Sequence, residues 1–157
     1  MRYASDDGSF TSDGLLITDY EGACKGLREG KYFQSSKSVT VRLRERSEFE
    51  GYPYWGIAPP VEGSYPLLTD VEPPPSQTHL GLGQFVSVGP ACNPRLELPS
   101  SGELTVEKLT GTGAGQRVMG HLRMVLPEDG TIDVDFEVDT CDLTPGVPFV
   151  QSCADRP

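Results

Sequence analysis

From Thr131 to Asp139 the chain alternates without a slip. Ile132, Val134, Phe136 and Val138 hold one parity; Asp133, Asp135, Glu137 and Asp139 hold the other. A helix would wind that pattern around its whole circumference, whereas a strand sends successive side chains to opposite faces. The segment therefore reads as an extended strand with one dry face and one wet face. Upstream, Val118, Gly120, Leu122, Met124 and Leu126 share a parity, and Glu128-Asp129-Gly130 supplies a turn between the two runs. Leu104, Val106 and Leu109 mark a third strand from Glu103 to Leu109. The three strands predict an antiparallel meander. Gly111-Thr112-Gly113-Ala114-Gly115 falls between two of them, so it reads as a hairpin loop. A phosphate cradle would need a helix N-terminus after it.

The remaining chain carries shorter signals of the same kind. Leu15-Leu16-Ile17-Thr18 is an apolar run behind Asp13-Gly14 and reads as a buried strand. Val39, Val41 and Leu43 oppose Thr40, Arg42 and Arg44 in a half-buried one. Leu80, Leu82, Phe85, Val86 and Val88 form another, whose slipped alternation predicts a bulge near Gly83. A short strand starts at Glu62-Gly63-Ser64-Tyr65. Residues 50–62 hold too many prolines for a regular element, and Pro73-Pro74-Pro75 reads as a rigid connector. Asp19 caps a short helix that sets Tyr20, Cys24 and Leu27 on one face and ends at Gly30. The fold expected is all-β: an antiparallel β-sandwich or flattened barrel of about seven to nine strands, with one short helix near Cys24 and two disulfides. Residues 1–13 form a polar segment or an edge strand, 14–141 a single all-β domain, and 142–157 a tail pinned by Cys153.

With 157 residues, of which 36% are hydrophobic, the chain suits one domain with a thin core. Its 18 glycines and 14 prolines suit many turns and oppose long helices. A thin core benefits from covalent staples. Cys24, Cys92, Cys141 and Cys153 are dispersed, with no Cys-x-x-Cys pair and no neighbouring histidine, so they read as two disulfides rather than a zinc site. Three connectivities are open on spacing alone. Disulfides imply an oxidising compartment: secreted, periplasmic or outer cell surface. Met1-Arg2-Tyr3 runs straight into Ser5-Asp6-Asp7-Gly8, so the expectation is a mature chain whose leader has been removed. A lipid-bearing cysteine would then lie upstream of Met1. No stretch is long and apolar enough for a transmembrane helix. The formal net charge of −10 repels nucleic acid and anionic membrane surfaces.

Two groups of residues could carry a ligand. Tyr52, Tyr54 and Trp55 are aromatics that can stack on sugar rings or anchor a partner. Asp133, Asp135, Glu137 and Asp139 project from one strand face. There they suit calcium, or basic side chains from a neighbouring strand such as Arg42 and Arg44, or Arg117 and Arg123. The ladder lacks an Asp-x-Asp-x-Asp-Gly loop, so a solvated face is the simpler reading. His121 should face outward beside no nucleophile elbow, and His79 follows Pro-Pro-Pro-Ser-Gln-Thr; neither reads as catalytic.

The order of these features resembles a loose group of secreted proteins and lipoproteins best represented in myxobacteria and related bacteria. The resemblance rests on Leu15-Leu16-Ile17-Thr18-Asp19-Tyr20 followed by Cys24, and on Pro60-Val61-Glu62-Gly63-Ser64-Tyr65. It continues with Cys92, with Ser101-Gly102-Glu103-Leu104-Thr105-Val106, and with the hairpin from Gly120-His121-Leu122 through Asp129-Gly130 to Phe136 and Cys141. It spans about residues 14–141 and implies architecture and compartment without chemistry. It also implies the pairs Cys24–Cys92 and Cys141–Cys153. The function expected is a non-catalytic binding or structural module of the cell surface, with a protein or glycan partner and self-assembly open to it. The alternatives are a carbohydrate- or calcium-binding module and a small secreted hydrolase.

Overall fold

The computed structural model describes residues 8–11, 14–19, 31–69, 73–112, 116–140 and 152–154. In the strands Gly8–Thr11, Lys31–Phe33 and Ser152–Ala154 it describes the backbone alone. Twelve strands occur among these residues: β1 (Gly8–Thr11), β2 (Gly14–Thr18), β3 (Lys31–Phe33), β4 (Lys37–Phe49), β5 (Tyr52–Ile57), β6 (Gly63–Pro66), β7 (His79–Val88), β8 (Pro94–Glu97), β9 (Ser101–Thr110), β10 (Arg117–Leu126), β11 (Gly130–Thr140) and β12 (Ser152–Ala154). The count exceeds the seven to nine expected because β1, β3, β8 and β12 are only three or four residues long and too short to show a period. The helix expected near Cys24 falls on residues 20–30, outside the described residues, and no helix occurs among those described.

Two antiparallel sheets hold nine of the twelve strands. One contains β2, β4, β5, β7 and β8; the other contains β6, β9, β10 and β11. They do not close into a barrel, which settles the sandwich-or-barrel alternative for the open form. β1 stitches the sheets into one path. It pairs antiparallel with β2 and parallel with β11, through Ser9↔Asp139 and Phe10↔Thr140. The N-terminal segment thus contributes an interior strand rather than an edge strand. β12 pairs parallel with β3, Cys153 opposite Tyr32, which ties part of the C-terminal tail to the chain's first third.

The core lies between the inner faces. Leu15, Ile17, Val39, Val41 and Leu43 from the first sheet meet Leu104, Val118, Leu122, Ile132, Val134 and Phe136 from the second. The meander is as expected, with Leu122 opposite both Leu104 and Val134.

Two expectations for the strands are corrected. β7 runs against β4 in unbroken register from Ser87 to His79, so no bulge lies near Gly83. Gly81 and Gly83 hold inward positions there: a Cβ would meet Val41 and Leu67 side chains at 2.8 and 2.9 Å from the former, and Met124 at 2.8 Å from the latter. The alternation is intact, and two of its inner members are bare so that the sheets can approach. The bulge that does exist lies between β9 and β10, where the register shifts at Met119/Gly120. Second, β5 forms despite its proline. Among the described residues it pairs with β4 alone, so Pro53 sits on an edge strand that can spare an N–H. The turn before it has Glu50 and Gly51 at φ of 52° and 82°, the signs that a two-residue type I′ hairpin needs.

Candidate ligand-binding face

The site is built by the length of β4. Its first part is flanked by β2 and β7, with Ser38–Arg42 opposite Thr18–Gly14 and Lys37–Glu45 opposite Ser87–His79. Beyond Arg46 only β5 accompanies it, with Ser47 opposite Tyr54 and Phe49 opposite Tyr52. The pair is a two-stranded ribbon that continues the first sheet. Along its inner parity, Leu43 is fully buried, Glu45 and Ser47 are half-buried, and Phe49 is exposed. The core face therefore runs out of the sandwich into water.

Directly opposed residues of an antiparallel pair share a face. That rule puts Phe49, Tyr52 and Tyr54 together with Ser47, Glu45 and Gly56. The three rings are 67%, 77% and 50% exposed. Gly56 brings no side chain to the row: a Cβ there would lie in ordinary contact with Tyr54 Cε2 at 3.5 Å, Ser47 Oγ at 3.9 Å and Glu45 C=O at 4.0 Å. His79 pairs with Glu45 and joins the same face at its base. Trp55 lies on the other face, opposite Arg46, and is half-buried. Of the three aromatics singled out in the sequence, two stand together and one does not. Phe49 is the member that sequence reasoning missed. The signal for it was Glu50-Gly51, a turn that makes Phe49 and Tyr52 cross-strand neighbours.

At the base of this face Tyr65 is buried. Its hydroxyl accepts from Val61 N–H and donates to Val61 C=O, both at 3.0 Å. Such an arrangement, a tyrosine bonding the backbone a few residues upstream, pins the crossing of a β-sandwich. It gives the Pro60-Val61-Glu62-Gly63-Ser64-Tyr65 step a physical meaning. His79 packs edge-on against the Tyr65 ring, centroids 5.7 Å apart. Burial raises the phenol's pKa above its usual value; the Val61 bond opposes this and Glu45 adds to it.

The acidic ladder occupies the outer face of the second sheet, as its parity demands. β10 supplies its partners. Arg117 reaches Glu137 and Asp139, each at 3.0 Å. His121 places Nδ1 at 2.7 Å from Asp135 and Nε2 at 3.3 Å from Asp133. Arg123 stands 4.0 Å from Asp133. Asp139 first and then Glu137 raise the Arg117 pKa above its usual value. Of the basic residues considered, Arg117 and Arg123 serve, while Arg42 and Arg44 belong to the first sheet. His121 faces outward as expected, with two carboxylates for partners. No group of three or more His, Cys, Asp or Glu side chains is arranged to hold a metal ion among the described residues.

Three further expectations have places in the structure. Gly111–Gly115 joins β9 to β10, with Thr110 opposite Arg117 across its base; residues 113–115 lie outside the described residues. Cys92 sits half-buried in the β7–β8 turn at φ 59°, its N–H bonded to Gly89 C=O. Cys24, Cys141 and the Cys153 side chain lie outside the described residues, so no two described cysteine side chains stand at disulfide distance. No helix is long and apolar enough to cross a membrane among the described residues.

No family model, no curated protein and no solved structure matches the chain.

Proposed function

We propose that this protein is a non-catalytic binding module of the cell exterior, and that it binds through the Phe49–Tyr52–Tyr54 face. The observation that carries the reading is the exposure of three large aromatic rings on one side of a ribbon that leaves the sandwich. Burying such a side chain is worth about 1.5–3 kcal/mol, so a fold that holds three in water keeps that energy for a partner. Large exposed apolar patches mark interaction sites. The ladder carboxylates, on the other sheet, support the same reading, since Arg117 and His121 engage them.

The exterior compartment rests on the cysteines and on the resemblance to secreted β-domains and lipoproteins. We propose Cys24–Cys92 and Cys141–Cys153 as the pairs; no free thiol stands among the described residues. The test uses purified protein and washed envelopes of the producing cell. The native chain is expected to sediment with the envelopes, and a Tyr52→Ser/Tyr54→Ser variant of equal thermal stability to stay in solution. Equal sedimentation of the two, or none for either, overturns the reading.

A further inference from the structure

We infer that the occupant of the aromatic face is an uncharged polysaccharide chain. This rests on the binding-face reading above and names its ligand class. Three features of the face favour sugar over the other partners an apolar patch could take. First, its apolar members are all rings, Phe49, Tyr52 and Tyr54, with no aliphatic side chain among them. A flat ring suits the C–H face of a pyranose, whereas a protein interface core mixes rings with aliphatic anchors. Second, polar groups stand in the same row. Ser47 offers a hydroxyl, Glu45 a carboxylate and His79 an imidazole, and the two tyrosines add phenols. Sugar hydroxyls require such donors and acceptors beside the stacking surface, whereas a lipid tail requires none. Third, Glu45 is the one carboxylate in the row and no Lys or Arg stands in it, since Arg44, Arg46 and Glu48 take the opposite parity, so the face offers no fixed cation to anionic glycans or anionic lipid headgroups.

The dimensions agree. Residues two apart on a strand lie about 7 Å apart, so Tyr52 and Tyr54 are close enough to meet separate sugar rings of one extended chain. Phe49, opposite Tyr52, widens the platform beneath one of them.

The experiment is a pull-down with microcrystalline cellulose, chitin beads and neutral dextran gel as neutral probes, with heparin beads and phosphatidylcholine vesicles as comparators. At least one neutral polysaccharide is expected to retain the protein, and its soluble oligosaccharide to release it. Tyr52→Ser and Tyr54→Ser should each weaken that binding about tenfold, the equivalent of one lost stacking contact. Trp55→Phe, on the opposite face, should leave it unchanged. Circular dichroism and melting of each variant guard against misfolding. Retention by no neutral polysaccharide overturns the inference. So does retention that survives both tyrosine changes, or preference for heparin or vesicles. If the neutral probes fail while envelope binding still depends on Tyr52 and Tyr54, the ligand class falls and the binding face stands. If envelope binding ignores both tyrosines, the face itself falls.

Discussion

Tyr65 shows how one side chain can hold a crossing in place. Its ring fills core space between the sheets, and its hydroxyl satisfies both backbone groups of Val61. Tyr65→Phe keeps the ring and strands those two groups. Leaving a buried polar group unpaired costs about 1–3 kcal/mol, and Val61 retains some access to water. The expected loss is about 1–2 kcal/mol, read from the urea midpoint at unchanged slope. The phenol also gives a pH signature. Its folded pKa is raised, chiefly by burial. Above the unfolded value the unfolded chain releases a proton that the folded chain keeps, so stability falls as pH rises. The contribution is whole below about pH 10 and is lost through the folded pKa. Melting above that pH should decline less steeply in Tyr65→Phe than in the native chain. The sequence held this residue in view as part of a motif, while its role became legible only with the Val61 bonds.

At the scale of elements, periodicity was a sound guide wherever both parities carried side chains. β10 and β11 follow it residue by residue. It misled where glycine took an inner position, because a missing side chain looks like a slipped register. Gly81 and Gly83 suggested a bulge that is absent. The step of three from Val106 to Leu109 was the actual trace of the bulge facing Met119 and Gly120. Gly120 is the tightest of these positions. A Cβ there would lie 2.0 Å from Thr105 C=O and 2.9 Å from Phe136. Backbone cannot yield as a flexible side chain can. Gly120→Ala is expected to cost about 3 kcal/mol or more, above the usual range for overpacking, and to lower the melting temperature accordingly. The edge strand β8, invisible to periodicity, is held by a different device. Glu97 points inward, only 8% exposed, and its Oε1 accepts the Glu128 N–H at 2.6 Å. Arg95 pairs with the Glu128 carboxylate from the same strand. An inward charge of this kind also discourages edge pairing with other chains. Glu97→Ala should leave the Glu128 amide unsatisfied and loosen the β10–β11 turn. Hydrogen exchange at residues 127–130 is expected to accelerate, with about 1–2 kcal/mol of stability lost; unchanged protection there would mean β8 is held by its pairing with β7 alone.

For the whole molecule, the class was legible and the site half so. Tyr52 and Tyr54 were singled out by their chemistry and stand together on the exposed ribbon. Phe49 was missed and Trp55 misplaced because proline content hid β5, an edge strand that tolerates it. The acidic ladder was the loudest signal, yet β10 sets Arg117, His121 and Arg123 against its four carboxylates. What ties the chain together beyond the core is the remaining question at this scale. The core is thin for its length, β1 bridges the sheets by two register pairs to β11, and β12 meets β3 over three residues. Short pairings of that kind hold poorly alone, since an isolated two-stranded unit is marginal in water. Cross-links from Cys24 to Cys92 and from Cys141 to Cys153, the pairs proposed above, would add covalent constraint to such pairings. Removing a native disulfide from a small secreted domain costs about 2–5 kcal/mol. The native chain is therefore expected to resist alkylation until it is both unfolded and reduced, and to melt well below its native temperature in reductant. Peptide mapping of the non-reduced protein would identify the partners. Should all four cysteines alkylate without reductant, with melting unchanged by it, the exterior compartment loses its physical basis, whatever the aromatic face goes on to bind.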